Sequence, residues 1–123
     1  MAFSGLKKRK LRILLNMGYN KEIKFKDIST LKEFNKNGYH YTCVKADVEN
    51  NTYVYKMEHI GEPLPYSQYE LVRGIKGKQP SGETFYYYPS DERFGTYGWY
   101  ICGNEETCQE RIASKISELL LNK

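Results

Sequence analysis

YHYTCVKADVENNTYVYKMEHI, residues 39 to 60, is the stretch on which the fold turns. Two runs of β-branched and aromatic residues flank Asn50 and Asn51, and asparagine is one of the few side chains that accept the positive φ of a tight hairpin turn. With those two residues at the turn centre, Val48 faces Tyr53, Ala46 faces Tyr55, Val44 faces Met57 and Thr42 faces His59. All four pairs share one side, which the pattern predicts to be buried. The other side pairs Asp47 with Val54, Lys45 with Lys56 and Cys43 with Glu58, a mostly polar set suited to water. A slip of one residue buries Lys45 and Asp47, so turn chemistry and hydrophobic pattern specify one register.

On the N-terminal side of this hairpin, DISTLKEFNKNG (27–38) predicts a short helix near residues 29–37, capped by Ser29, with Ile28, Leu31 and Phe34 on one side and Gly38 as its stop. KEIKFK (21–26) alternates as a strand does. Residues 11–17 read as a strand through Leu11, Ile13, Leu15 and Met17, or as a helix through Leu11, Leu14 and Leu15 whose face Lys7 interrupts. Residues 1–10 combine few apolar anchors with a run of like charges, the composition of a flexible basic arm.

On the C-terminal side, GEPLPYSQ (61–68) is a connection, because two prolines and a glycine leave little room for ladder hydrogen bonds. YELVRGIKG (69–77), TFYYY (84–88) and TYGWYIC (96–102) read as further strands, the last with Tyr97, Trp99 and Ile101 on one face. A long amphipathic helix is expected near residues 104–122. Asn104 caps it, Glu105 and Glu106 sit at the positive end of its dipole, and Cys108, Ile112, Ile116, Leu119 and Leu120 form its apolar stripe. The expected architecture is α+β, with residues 11–123 as a single domain built on an antiparallel sheet of five or more strands.

The 123 residues suit one domain, and the longest apolar run is three residues, far short of a membrane span. A signal-peptide reading of MAFSGLKKRKLRILLNMG fails because its apolar region is about four residues, against the roughly 7 to 15 required. Cys43, Cys102 and Cys108 are odd in number, which fits a reducing, cytoplasmic setting with free thiols. The net charge of +4 is unevenly distributed: residues 1–26 carry eight basic side chains and one acid (+7), and the remainder carry eleven and fourteen (−3).

No catalytic motif is present, and no cofactor is expected. GIKGKQPSG (74–82) lacks the spacing and the following Ser or Thr of a phosphate loop, and PSDER (89–93) has no Glu-x-Lys partner for a nuclease metal site. Zinc is disfavoured as well. Five residues separate Cys102 from Cys108, and His40 and Cys43 point to opposite faces of a strand. The chain therefore reads as a non-enzymatic binding or regulatory protein with two candidate surfaces.

The first surface is basic: Lys7, Lys8, Arg9, Lys10 and Arg12 are placed to neutralise phosphates, with Lys24, Lys26, Arg73, Lys76 and Lys78 as helpers, and its partner would be a nucleic acid. The second is aromatic. Residues 83–100 hold eight of the chain's eighteen aromatic residues, yet their net charge of −2 repels a polyanion. Tyr86, Tyr88 and Tyr100, rimmed by Asp91, Glu92 and Arg93, suit an inhibitor or adaptor that contacts a protein.

Overall fold

Asn37 and Gly38 both adopt left-handed backbone (φ 51 and 85), the requirement of a two-residue type I′ turn, and they join β1 (Glu33–Lys36) to β2 (Tyr39–Asp47). The expected helix over 29–37 is therefore replaced by a strand. What precedes it in this computed structural model, which describes residues 27 to 122, is one 3-10 turn over Ile28–Thr30. Asp27, not Ser29, caps that turn, accepting from the Ser29 N–H at 3.0 Å. Phe34 moves from the anticipated helix to β1, where its ring stacks on Tyr41 at 4.5 Å. The readings of residues 1–10, 11–17 and 21–26 lie outside the described residues.

The main hairpin exists, but in another register. β2 runs to Asp47 and β3 (Thr52–His59) begins five residues later, so the loop is Val48–Asn51 rather than a two-residue turn. Asp47 causes this: its carboxylate accepts from the Asn50 N–H at 3.2 Å and from the Asn50 side chain at 2.8 Å, and only Asn51 takes positive φ (53). A bulge between Cys43 and Lys45 then shifts the ladder, giving Tyr41↔Met57 and Cys43↔Tyr55 on one side of it and Ala46↔Tyr53 on the other. Tyr39, Tyr41 and Cys43 face inward in place of Thr42, Val44 and Val48. Val44 and Val48 are 53% and 60% exposed.

Three more strands follow. β4 (Ser67–Arg73) pairs with β3, the chain breaks step at Gly74, and β5 (Ile75–Lys78) pairs with β6 (Thr84–Tyr87) as a separate two-stranded ribbon. The expected single strand over 69–77 is thus two strands in two sheets. β7 (Gly98–Gly103) closes the main sheet, whose order is β1-β2-β3-β4-β7 and whose pairs are all antiparallel. The helix α1 (Glu105–Leu121) follows at once, and the Asn104 side chain accepts from the Thr107 N–H at 2.8 Å.

The fold is α+β, a single domain with apolar packing on both faces of its sheet. One face takes α1: Cys108 and Ile112, with Ile116 and Leu119 at the margin, cover Val54, Tyr69, Leu71 and Ile101. Leu120, expected in the stripe, is 43% exposed. The other face carries Phe34, Tyr41, Tyr53, Tyr55, Met57 and Val72, covered in part by Ile28 and Tyr88. β3 is therefore buried on both sides, and the anticipated watery face at Val54 does not exist. Full burial of Leu71 alone contributes about 2 kcal/mol. Among the described residues, no helix is long and apolar enough to cross a membrane.

Candidate functional site

Strand register collects a set of polar-tipped rings on the sheet face away from α1. Directly opposed residues on antiparallel strands share a face. Tyr39 and Tyr41 on β2, Gln68 and Glu70 on β4, and Tyr100 and Cys102 on β7 therefore lie side by side.

Glu70 anchors the covered half. It is 8% exposed, opposite Tyr55 on β3 and Tyr100 on β7. Tyr88 donates its hydroxyl to one carboxylate oxygen, and Tyr41 donates to the other at 3.3 Å. Among the described residues no cation pairs with it. Lys36, the cation whose charge acts on it, is 2.8 Å from Asp91. Burial holds the Glu70 pKa above the usual carboxylate value, against the opposing pull of the Tyr88 hydrogen bond and the Lys36 charge. The same burial, reinforced by the Glu70 charge, raises the hydroxyls of Tyr41 and Tyr88. This half is a polar strut that ties the end of β6 to β4 and β2.

Gln68 organises the open half. Its amide donates to the Tyr100 hydroxyl and, at 3.5 Å, to that of Tyr39. Tyr39 in turn meets His59 edge-on at 5.3 Å. Gln68 itself is 5% exposed whereas Tyr100 is 48% exposed, so a buried amide fixes an exposed ring. A surface of this kind can accept apolar contact and hydrogen bonds without first ordering its side chains. Among the described residues, no three His, Cys, Asp or Glu side chains converge as a metal site would require.

The residues singled out in the sequence take scattered positions. Lys7, Lys8, Arg9, Lys10, Arg12, Lys24 and Lys26 lie outside the described residues. Arg73 is half-buried: its Nη2 donates to the Thr96 carbonyl at 2.5 Å, and its guanidinium lies over Tyr97 and Trp99 at 5.2 and 5.5 Å. Lys76 and Lys78 are exposed, and the register Lys76↔Tyr86 puts both on the same side of the ribbon as Tyr86.

Tyr88 is corrected from surface to core, because it is 5% exposed and its hydroxyl is spent on Glu70. The anticipated Tyr86, Tyr88 and Tyr100 patch does not form. Tyr86 belongs to the ribbon and Tyr100 to β7. Asp91 pairs with Lys36, and Glu92 and Arg93 are exposed beside it on a 3-10 turn. Tyr39, Tyr41, Gln68 and Glu70 carried no signal in the sequence, since residues about 30 apart are joined only by register.

With this geometry established, comparison of the chain with protein-family models, with curated proteins and with solved structures finds no match in any of the three.

Proposed function

We propose that this is a non-enzymatic, cytoplasmic binding protein that contacts a partner protein through the open half of the tyrosine face, with Tyr100 as the central ring, in the manner of an inhibitor or adaptor. The observation that carries this reading is the pairing of Tyr100 exposure (48%) with a hydroxyl already held by Gln68. A half-exposed tyrosine whose tip is satisfied and whose rotamer is fixed loses little entropy on docking, which is why such rings dominate interfaces. The three free cysteines suit a reducing compartment. In a pull-down from host extract treated with nuclease, Tyr100→Ala should lose the captured protein and weaken its binding by about 2 kcal/mol. Retention of that partner by folded Tyr100→Ala protein would sink the reading.

The charge division favours a second reading, association with nucleic acid through Lys7, Lys8, Arg9, Lys10 and Arg12. Residues 1–26 carry +7 against −3 for the rest of the chain, and Lys76 and Lys78 add exposed charge on the ribbon. Binding through about six phosphate contacts should fall roughly a thousandfold between 50 and 200 mM salt and vanish on removal of residues 1–12. Salt-independent binding, or binding that survives the truncation, excludes the arm as the contact.

A further inference from the structure

Arg73 is a half-buried charge with no ion-pair partner among the described residues. Its Nε is buried with no hydrogen-bond partner, and among the described residues its guanidinium makes one hydrogen bond, from Nη2 to the Thr96 carbonyl. Among the described residues no carboxylate lies within ion-pair distance of it: the pairs there are Lys36–Asp91, His40–Glu33 and Lys115–Glu118. A half-buried guanidinium without a counter-ion is costly, and stacking on Tyr97 and Trp99 offsets only part of that cost. Lys115, paired with Glu118 at 3.2 Å, lies over the same indole at 4.4 Å.

Arg73 also lines a cavity of about 260 Å³ between the β2–β3 loop and the last turns of α1. Asn51, Tyr97, Leu119 and Leu120 contribute to the wall, and Glu49 lies at the loop edge, exposed. Leu119 and Leu120 supply its apolar wall, and exposed apolar side chains flank the lining residues in sequence. Val48, beside Glu49, is 60% exposed, Leu120 is 43% exposed and Leu121, its neighbour, is 85% exposed. The volume falls below the usual range for drug-sized ligands and suits one branched side chain with a carboxylate.

The geometry points to a binding site for an apolar carboxylate, in which Arg73 takes the carboxylate as its missing counter-ion and Leu119, Leu120 and Tyr97 hold a branched apolar group. The site goes beyond the tyrosine face, which lies on the other side of the sheet. A guanidinium prefers a carboxylate to a neutral group because the hydrogen bonds it then donates are charge-assisted. Glu49 opposes the ligand charge, so Glu49→Gln should tighten binding. The shared chemistry is that of a free branched-chain acid and of a polypeptide C-terminus ending in an apolar residue.

Isothermal titration of the full chain with N-acetyl-leucine, N-acetyl-leucinamide and acetyl-Ala-Ala-Ala-Leu tests this. N-acetyl-leucine should bind and the amide, which lacks the charge, should bind more weakly by about tenfold or more. Comparable affinity for N-acetyl-leucine and the peptide identifies a small acid as ligand, and tighter peptide binding identifies a chain terminus. Arg73→Gln should abolish the preference for acid over amide. Because Arg73 also packs on two rings, Leu120→Asp is the second variant: it changes an exposed position and should weaken the acid without unfolding the chain. Equal binding of acid and amide, no binding of any probe up to about 10 mM, or unchanged affinity in both variants overturns the proposal.

Discussion

Tyr88→Phe should cost the fold about 2 kcal/mol at pH 7, and less than half of that near pH 4. The substitution removes one oxygen and leaves the ring in place between Phe34 and Tyr55, with ring separations of 5.0 and 5.2 Å. The loss is therefore one hydrogen bond to a buried carboxylate, not a cavity. At neutral pH Glu70 keeps only the Tyr41 hydroxyl at 3.3 Å, and an 8% exposed charge is left under-solvated.

Acid softens the effect because the folded-state pKa of Glu70 lies above its ordinary value, chiefly through burial. A raised carboxyl pKa means that folding favours the protonated form. That contribution is fully present below the unfolded pKa and is lost as pH rises through the folded one. Glu105 acts with the opposite sign, since its Tyr69 hydrogen bond lowers its pKa, and the two must be separated. Glu70→Gln does so: the difference between wild type and this variant in urea midpoints, measured from pH 4 to 7, should change in the direction of wild-type weakening as pH rises. An equal Tyr88→Phe loss at pH 4 and pH 7 would mean that Glu70 is not the group being served.

The sequence carries some of this architecture and conceals the rest for identifiable reasons. The terminal helix is legible because Asn104, Glu105 and the stripe through Cys108 and Ile112 are local signals that agree with one another. The hairpin at 39–60 is legible as a hairpin but not in register. Asn50 and Asn51 satisfy the rule for a two-residue turn, while Asp47, three residues upstream, binds Asn50 and lengthens the loop. The bulge between Cys43 and Lys45 has no local signature.

At 28–38 two signals compete. The spacing of Ile28, Leu31 and Phe34 argues for a helix, and Asn37-Gly38 argues for a hairpin; the hairpin prevails because a buried strand at Phe34 completes the sheet face beside Tyr41. The candidate site is less legible still. Tyr39, Gln68 and Tyr100 become neighbours only through the β2-β3-β4-β7 order, which no local pattern encodes. The tyrosines at 86 and 88 looked equivalent by alternation, yet β6 ends at Tyr87, and Tyr88 turns into the core.

Gly74→Ala should destabilise the protein by about 2 to 3 kcal/mol, although its backbone does not require glycine. Its φ lies outside the left-handed region, so the cost is one of space. A Cβ there would sit 2.6 Å from Asn51 Oδ1, 2.7 Å from Tyr86 Cβ and 3.0 Å from Ile28 Cγ2. These neighbours belong to three separate elements, which meet at the point where the chain leaves the main sheet for the ribbon.

Asn51 fastens that point. Its side chain donates to the Gly74 carbonyl at 2.8 Å and accepts from the Gly74 N–H at 3.2 Å, replacing the ladder bonds that the break in step removes. An alanine methyl must push the amide away or move Tyr86 and the ribbon, so clash and lost hydrogen bonds arrive together. Asn51→Ala removes the amide contact in advance but leaves Tyr86 Cβ in place. In a double-mutant cycle the two substitutions should therefore cost less together than their sum, by about 0.5 to 1 kcal/mol. Strict additivity in denaturant midpoints would show that Asn51 does not hold the ribbon. Gly82→Ala supplies the contrast: it has φ +88 and no neighbour within 4 Å of the added Cβ, so its cost of about 1 kcal/mol is purely conformational and should add independently to either variant.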